Sequence, residues 1–144
     1  MKNNCCIIAK IIIIFFIIFP NMSHAQSWLQ VNGTSLHDRP GYNQFNYGMG
    51  LETNVSGSWS AAAGWYRNSE YRGSAYAYGR YAFYKQDRWD IGVAVGAVTG
   101  YQRAMVLPMA FPEACYSWLC VIALPRVEAT GANAVGVRLR IPVN

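Results

Sequence analysis

The segment Phe45-Asn46-Tyr47-Gly48-Met49-Gly50-Leu51-Glu52-Thr53-Asn54-Val55 alternates with a period of two: Phe45, Tyr47, Met49, Leu51 and Val55 fall on one side, Asn46, Gly48, Gly50, Glu52 and Asn54 on the other. Successive side chains of an extended chain point to opposite faces, so this run has one greasy face and one polar or bare face. The pattern returns in Ile91, Val93, Val95 and Ala97 against Gly92, Ala94 and Gly96. It returns again in Val135, Val137, Leu139, Ile141 and Val143 against Gly136, Arg138 and Arg140. A soluble sandwich also alternates, but it hides its apolar face in a core and usually shows polar groups outside. Here the second face carries glycine and arginine, as expected when the greasy set meets lipid and the small or polar set meets a lumen. Backbone groups in a bilayer need internal partners, so such a sheet must close on itself.

Working outward, the chain divides into eight candidate strands, near residues 28–37, 45–55, 58–67, 73–84, 89–100, 106–115, 120–128 and 134–143. Most approach the roughly 9–11 residues that a tilted spanning strand requires. The fold class expected is all-β, an eight-stranded antiparallel transmembrane β-barrel occupying residues 26–144. Trp28, Trp59, Trp65, Trp89 and Trp118 fall mostly toward strand ends, where amphipathic rings settle at a lipid–water boundary. With both termini in the periplasm, His37-Asp38-Arg39-Pro40, Arg67-Asn68-Ser69-Glu70, Gly100-Tyr101-Gln102-Arg103 and Ala129–Asn133 become outer loops. Asn54–Ser58, Lys85–Arg88 and Tyr116–Leu119 become inner turns.

The first 25 residues read as a cleaved signal peptide. Lys2 and Lys10 precede the apolar run Ile11–Phe19, Pro20 and Asn21 break it, and Ser23-His24-Ala25 has the small-x-small pattern of a cleavage site. The run is too short to span a bilayer comfortably. With Lys2 and Lys10 removed, ten basic residues face seven acidic ones, a net charge of +3. That is too mild and too scattered to imply a nucleic-acid partner. Cys115 and Cys120 are the cysteines left, separated by Tyr116-Ser117-Trp118-Leu119; in an oxidising compartment they form a small-loop disulfide or remain two thiols. His37 is the one remaining histidine and no CxxC or HxxxH spacing occurs, so no metal site and no cofactor are expected.

The polar knot Arg67-Asn68-Ser69-Glu70-Tyr71-Arg72 joins two tyrosine-rich runs in a chain otherwise poor in charge. Together with the outer loop at His37, Gly48-Met49-Gly50-Leu51, Ala77-Tyr78-Gly79, Gly92–Thr99, Leu107-Pro108-Met109-Ala110-Phe111-Pro112 and Leu124-Pro125, it resembles the lipid A palmitoyltransferase family over most of residues 37–143. These are small outer-membrane barrels that move an acyl chain from a phospholipid to lipopolysaccharide. The resemblance implies a catalytic set of Ser69 and His37 with Asn68 assisting where the family has aspartate. It implies membrane lipids as partners, with a phospholipid donor and a lipid A acceptor, and a monomer in the outer membrane of a Gram-negative bacterium. It also makes Gly79 the floor of an acyl pocket and Pro108, Pro112 and Pro125 lateral openings. A serine at its own pKa is a poor nucleophile and needs a base, a role that suits histidine. Asparagine can orient a group or donate to an oxyanion, but cannot carry charge.

Plainer readings stand beside these. Ser69 and Asn68 suit an ordinary turn, and His37 beside Asp38, Arg39 and Pro40 suits a wet loop. The prolines suit strand ends and a bulge. Arg138 and Arg140 read as lumenal charges, solvated or paired with Glu52 or Glu128, and Tyr76, Tyr78, Tyr81 and Tyr84 as girdle and lumen packing. The alternative function is a non-catalytic structural or adhesive barrel; a soluble lipid-binding barrel is a third.

Overall fold

The computed structural model describes residues 25–125 and 132–143. The expected signal peptide, apart from Ala25, lies outside the described residues, as do Glu128 and most of the Ala129–Asn133 loop. Eight strands, β1 (Ser27–His37), β2 (Phe45–Ser56), β3 (Trp59–Arg67), β4 (Gly73–Gln86), β5 (Trp89–Thr99), β6 (Val106–Tyr116), β7 (Leu119–Leu124) and β8 (Ala134–Val143), close into one antiparallel barrel. Each strand pairs with its sequence neighbours and β8 returns to β1. The bounds match the sequence expectation to within two residues except at β7, which stops at Leu124 rather than 128. Pro125 follows directly and has no N–H to continue a ladder.

One end of the barrel carries only tight turns, at Gly57-Ser58, Asp87-Arg88 and Ser117-Trp118. Each opens with a residue of positive φ: 54° at Gly57, 54° at Asp87 and 58° at Ser117. The other end carries the longer connections after β1, β3, β5 and β7. These are the turn end and the loop end below.

Burial is inverted relative to a protein that folds around an oily core. The largest fully buried side chains include Arg80, Gln30, Glu52, Glu113 and Asn68, whereas Leu36, Phe45, Met49 and Val95 are 64–65% exposed. Outward rings gather toward both ends: Trp59 on Tyr81 and Trp89 on Tyr116 near the turn end, Phe45, Tyr47 and Trp65 near the loop end. An apolar exterior between aromatic belts around a polar interior is the membrane-barrel pattern.

Across the turn-end half the lumen is filled by ions in mutual contact. Arg80 bridges Asp90 (2.7 Å) and Glu113 (2.6 Å), and Arg140 bridges Glu52 (2.8 Å) and Asp90 (2.6 Å). Arg138 donates from Nε to Glu113 (2.6 Å), and its Nη2 faces the same carboxylate without an aligned hydrogen bond. Three arginines thus meet three acids, and Gln30, Ser60 and Tyr78 complete the layer through hydrogen bonds of 2.6–2.8 Å. Arg138 and Arg140 are lumenal as expected, with Glu52 a partner of Arg140 and Asp90 and Glu113 as further counterions.

Candidate functional site

Above the ionic layer, on the loop-end side, the lumen holds a cavity of about 100 Å³. Its wall includes Tyr66, Tyr76, Tyr78, Met109, Phe111, Ile122 and Leu124, with Arg138 at the bottom, and its mouth is marked by His37, Ser69 and Tyr101. The floor is rigid: Tyr76 donates to Gln30 Oε1 (2.9 Å) and Gln30 donates to Tyr78 (2.6 Å) and Glu52 (2.8 Å). Glycines make room for these rings. A Cβ at Gly50 or Gly64 would lie 2.2 or 2.6 Å from the Tyr76 hydroxyl. The cavity is therefore blind, with paired charge beneath it and an opening at the loop end.

His37 reaches this cavity because β1 slips by one residue. Gln30 and Asn32 face inward, and continued alternation would send Thr34 inward and His37 outward. Both ladders of β1 shift register between Asn32 and Thr34, so Gly33 forms a bulge and Ser35 and His37 face the lumen instead. The His37 ring stacks on Tyr42 at 5.1 Å, and its buried Nδ1 has no hydrogen-bond partner among the described residues.

Ser69 arrives from the β3–β4 connection and lines the cavity together with Tyr101, whose hydroxyl meets the Tyr66 hydroxyl at 3.1 Å. Burial raises the pKa of Tyr101 above its ordinary value, so the phenol stays protonated as a donor. Both Ser69 and His37 line the cavity, and no hydrogen bond joins them among the described residues. A nucleophile, a base and a neutral donor at the mouth of an apolar pocket are the parts that acyl chemistry uses.

Asn68 sits apart from the cavity and is fully occupied. Its Oδ1 accepts the N–H groups of Glu70 and Arg72 (2.9 Å each), and its Nδ2 donates to Ser74 Oγ and the Gly100 carbonyl (3.0 Å each). It holds the five-residue β3–β4 connection, 68–72, in shape, with Tyr71 at φ 60°, and ties it to the β5–β6 connection. Asn43 binds the Asn68 carbonyl and the Ser69 carbonyl from the β1–β2 side, and Asp38 takes two hydrogen bonds from Asn133. The rim that carries Ser69 is thus a cross-linked ring. An aspartate at position 68 would lack the two N–H donors now used.

A second cavity, of about 80 Å³, shares His37, Ser69 and Tyr101 with the first and runs to Pro108, Ala110, Leu124 and Pro125 on the wall between β6 and β7. Among the described residues these strands pair only from Glu113–Tyr116 to Leu119–Ile122. Cys115 and Cys120 are joined there by a disulfide with Cα atoms 4.0 Å apart, the spacing of a non-hydrogen-bonded pair. It follows that even-numbered residues of β6 and odd-numbered residues of β7 direct their backbone groups at each other. Pro108, Pro112 and Pro125 all have the parity that leaves the seam without a donor. The β5–β6 ladder runs unbroken past both Pro108 and Pro112, so these prolines leave the β5 side of β6 intact.

Gly79 requires a correction. It faces outward, between lumenal Tyr78 and Arg80, and a Cβ there would meet nothing within 4 Å. It cannot floor a lumenal pocket, a part taken by Tyr76, Tyr78 and Arg138. Tyr66 and Tyr101 were missed in the sequence, as were Arg80, Asp90 and Glu113; only the inward phase of Arg80, shared with Tyr76 and Tyr78, was visible there. No family model matches the chain, and no curated protein matches it, so the site is read from its own geometry.

Proposed function

We propose that this chain is an outer-membrane barrel that draws a lipid acyl chain into its blind cavity and transfers it from a phospholipid to lipid A, with Ser69 and His37 acting at the mouth. The observation that carries this reading is the dead-end apolar cavity with a serine, an imidazole and a phenol at its opening. A channel would need a lumen clear from end to end, and this one is filled by ions. In the transfer, His37 takes the Ser69 proton as Oγ attacks the ester carbonyl, and returns it to the departing glycerol oxygen. The acyl group then passes to a lipid A hydroxyl, whose proton travels by His37 back to Ser69. The proline-lined seam supplies the lateral route for the chain, and Asn68 acts by holding Ser69 in place.

Mass spectrometry of lipid A from cells with and without the gene tests this. An added acyl chain is expected with the wild type and is lost in Ser69→Ala and in His37→Phe, while heat-shifted gel mobility shows both variants folded. Lipid A unchanged by the wild-type gene would remove the enzymatic reading. A second reading, a non-catalytic barrel of the envelope, is favoured by the full structural commitment of Asn68 and by the lack of a His37–Ser69 hydrogen bond. It predicts that unchanged lipid A.

A further inference from the structure

The cavity floor carries hydrogen-bonding capacity that a plain hydrocarbon chain would leave unspent. Among the described residues, three buried side-chain atoms lack a hydrogen-bond partner: Asn32 Nδ2, His37 Nδ1 and Arg138 Nη2. All three belong to residues that line the same cavity. His37 stands at its mouth, and the other two lie deeper. The β1–β8 ladder pairs Asn32 with Arg138, so both inner groups come from adjacent strands at one level of the lumen. Arg138 is 3% exposed, and its Cζ lies 5.5 and 5.8 Å from the centroids of Tyr78 and Phe111, two rings of the cavity wall.

The unspent groups on the floor are donors. Arg80 and Arg140 each reach two carboxylates, whereas Arg138 reaches Glu113 alone. A guanidinium has five N–H groups and no acceptor. Those of Arg138 that are aligned run from Nε to Glu113 (2.6 Å) and, at 3.4 Å, from Nη1 to Gln30 Oε1, which already accepts from Tyr76. What the floor lacks is therefore an acceptor. The ionic layer sets the charge of that acceptor: three arginines already balance Glu52, Asp90 and Glu113, and a carboxylate would enter as a fourth buried anion. A neutral oxygen satisfies the donors without adding charge.

We propose that the cavity takes a chain bearing a neutral oxygen, keto or hydroxyl, at its inner end, held by Asn32 Nδ2 and Arg138 Nη2. This occupant presupposes the chain-binding cavity of the proposed function, and not the proton transfer at His37. With its ester at Ser69, an acyl chain sets its tail on Arg138, so the oxygen belongs to the tail. A cavity of roughly 150 Å³ admits benzene, so one of about 100 Å³ admits roughly four non-hydrogen atoms, and the oxygen lies among the last few atoms of the chain.

The full chain in phosphatidylcholine nanodiscs is titrated with 2-hexanone labelled with carbon-13 at the carbonyl, with its isostere 2-methyl-1-hexene, and with hexanoate. Free concentrations are fixed against empty discs, and binding is read from the NMR shift of the Ile122 methyl groups on the cavity wall. The ketone is expected to bind at least about tenfold more tightly than the alkene, with its carbonyl resonance moved downfield as it accepts hydrogen bonds. Asn32→Leu is expected to weaken the ketone about fivefold, the share of one hydrogen bond, and to leave the alkene no weaker. Should that variant not fold, the wild-type contrast of ketone and alkene decides alone. Equal binding of the two, or an unmoved carbonyl resonance, overturns the oxygen acceptor and leaves the chain-binding cavity standing. Tighter binding of hexanoate overturns the neutral occupant in favour of an anion. Failure of every probe to shift Ile122 overturns the chain-binding cavity and its oxygenated occupant together.

Discussion

The two halves of the lumen are made of different chemistry. At the turn end three arginines and three acids are packed into contact, connections are two residues long, and a disulfide pins β6 to β7. At the loop end the lumen is hollow, the His37 Nδ1 is buried without a partner, and the β6–β7 ladder has ended among the described residues. Stability is concentrated where the charges are paired, and unfilled space lies at the other end, beside the unpartnered His37 Nδ1. The knot at Asn68 is the exception that lets the hollow half keep a fixed rim.

Breaking the filled half should have the largest effect. Glu113 is shared by Arg80 and Arg138, so Glu113→Gln leaves two buried guanidinium groups short of a counterion. The expected loss is about 3–5 kcal/mol, read by urea unfolding in lipid vesicles. A loss under about 1 kcal/mol would mean that water reaches this layer and that the cavity is not blind.

A smaller effect is expected at the knot. Asn68→Asp sets a carboxylate oxygen against the Gly100 carbonyl and the Ser74 hydroxyl, where two N–H groups now donate. A loss of about 1–3 kcal/mol is expected, together with faster hydrogen exchange at Glu70 and Arg72 as their shared acceptor shifts. Unaltered exchange there would show that the knot is held by backbone alone.

The least effect belongs to the hollow half itself. Ser69→Ala should change unfolding by less than about 0.5 kcal/mol, since its hydroxyl serves the cavity mouth and not the frame. A loss as large as that of Asn68→Asp would place Ser69 in the scaffold and sharpen the case for the non-catalytic reading.

How much of this was legible beforehand follows from the length scale of each feature. Alternation over ten residues survives small errors, so the strands, the tight turns and the inward phase of Arg138 and Arg140 could be read from the chain. A bulge is a single-residue event without a periodic signal, and Gly33 looks like any other strand glycine; yet it decides that His37 faces the lumen. Gly79 was misplaced for the opposite reason: a short motif outweighed the alternation of Tyr76, Tyr78 and Arg80, which already put the glycine on the other face. The pairing of Arg80, Asp90 and Glu113 joins three strands around the closed lumen, and separations along the chain do not reveal which charges meet.

The proline seam has a consequence for assembly. A strand edge left unpaired in a bilayer offers a row of donors and acceptors to any passing neighbour, and two such barrels would zip together. Pro108, Pro112 and Pro125 withdraw donors from that edge, so it offers fewer groups to a strand that would pair with it.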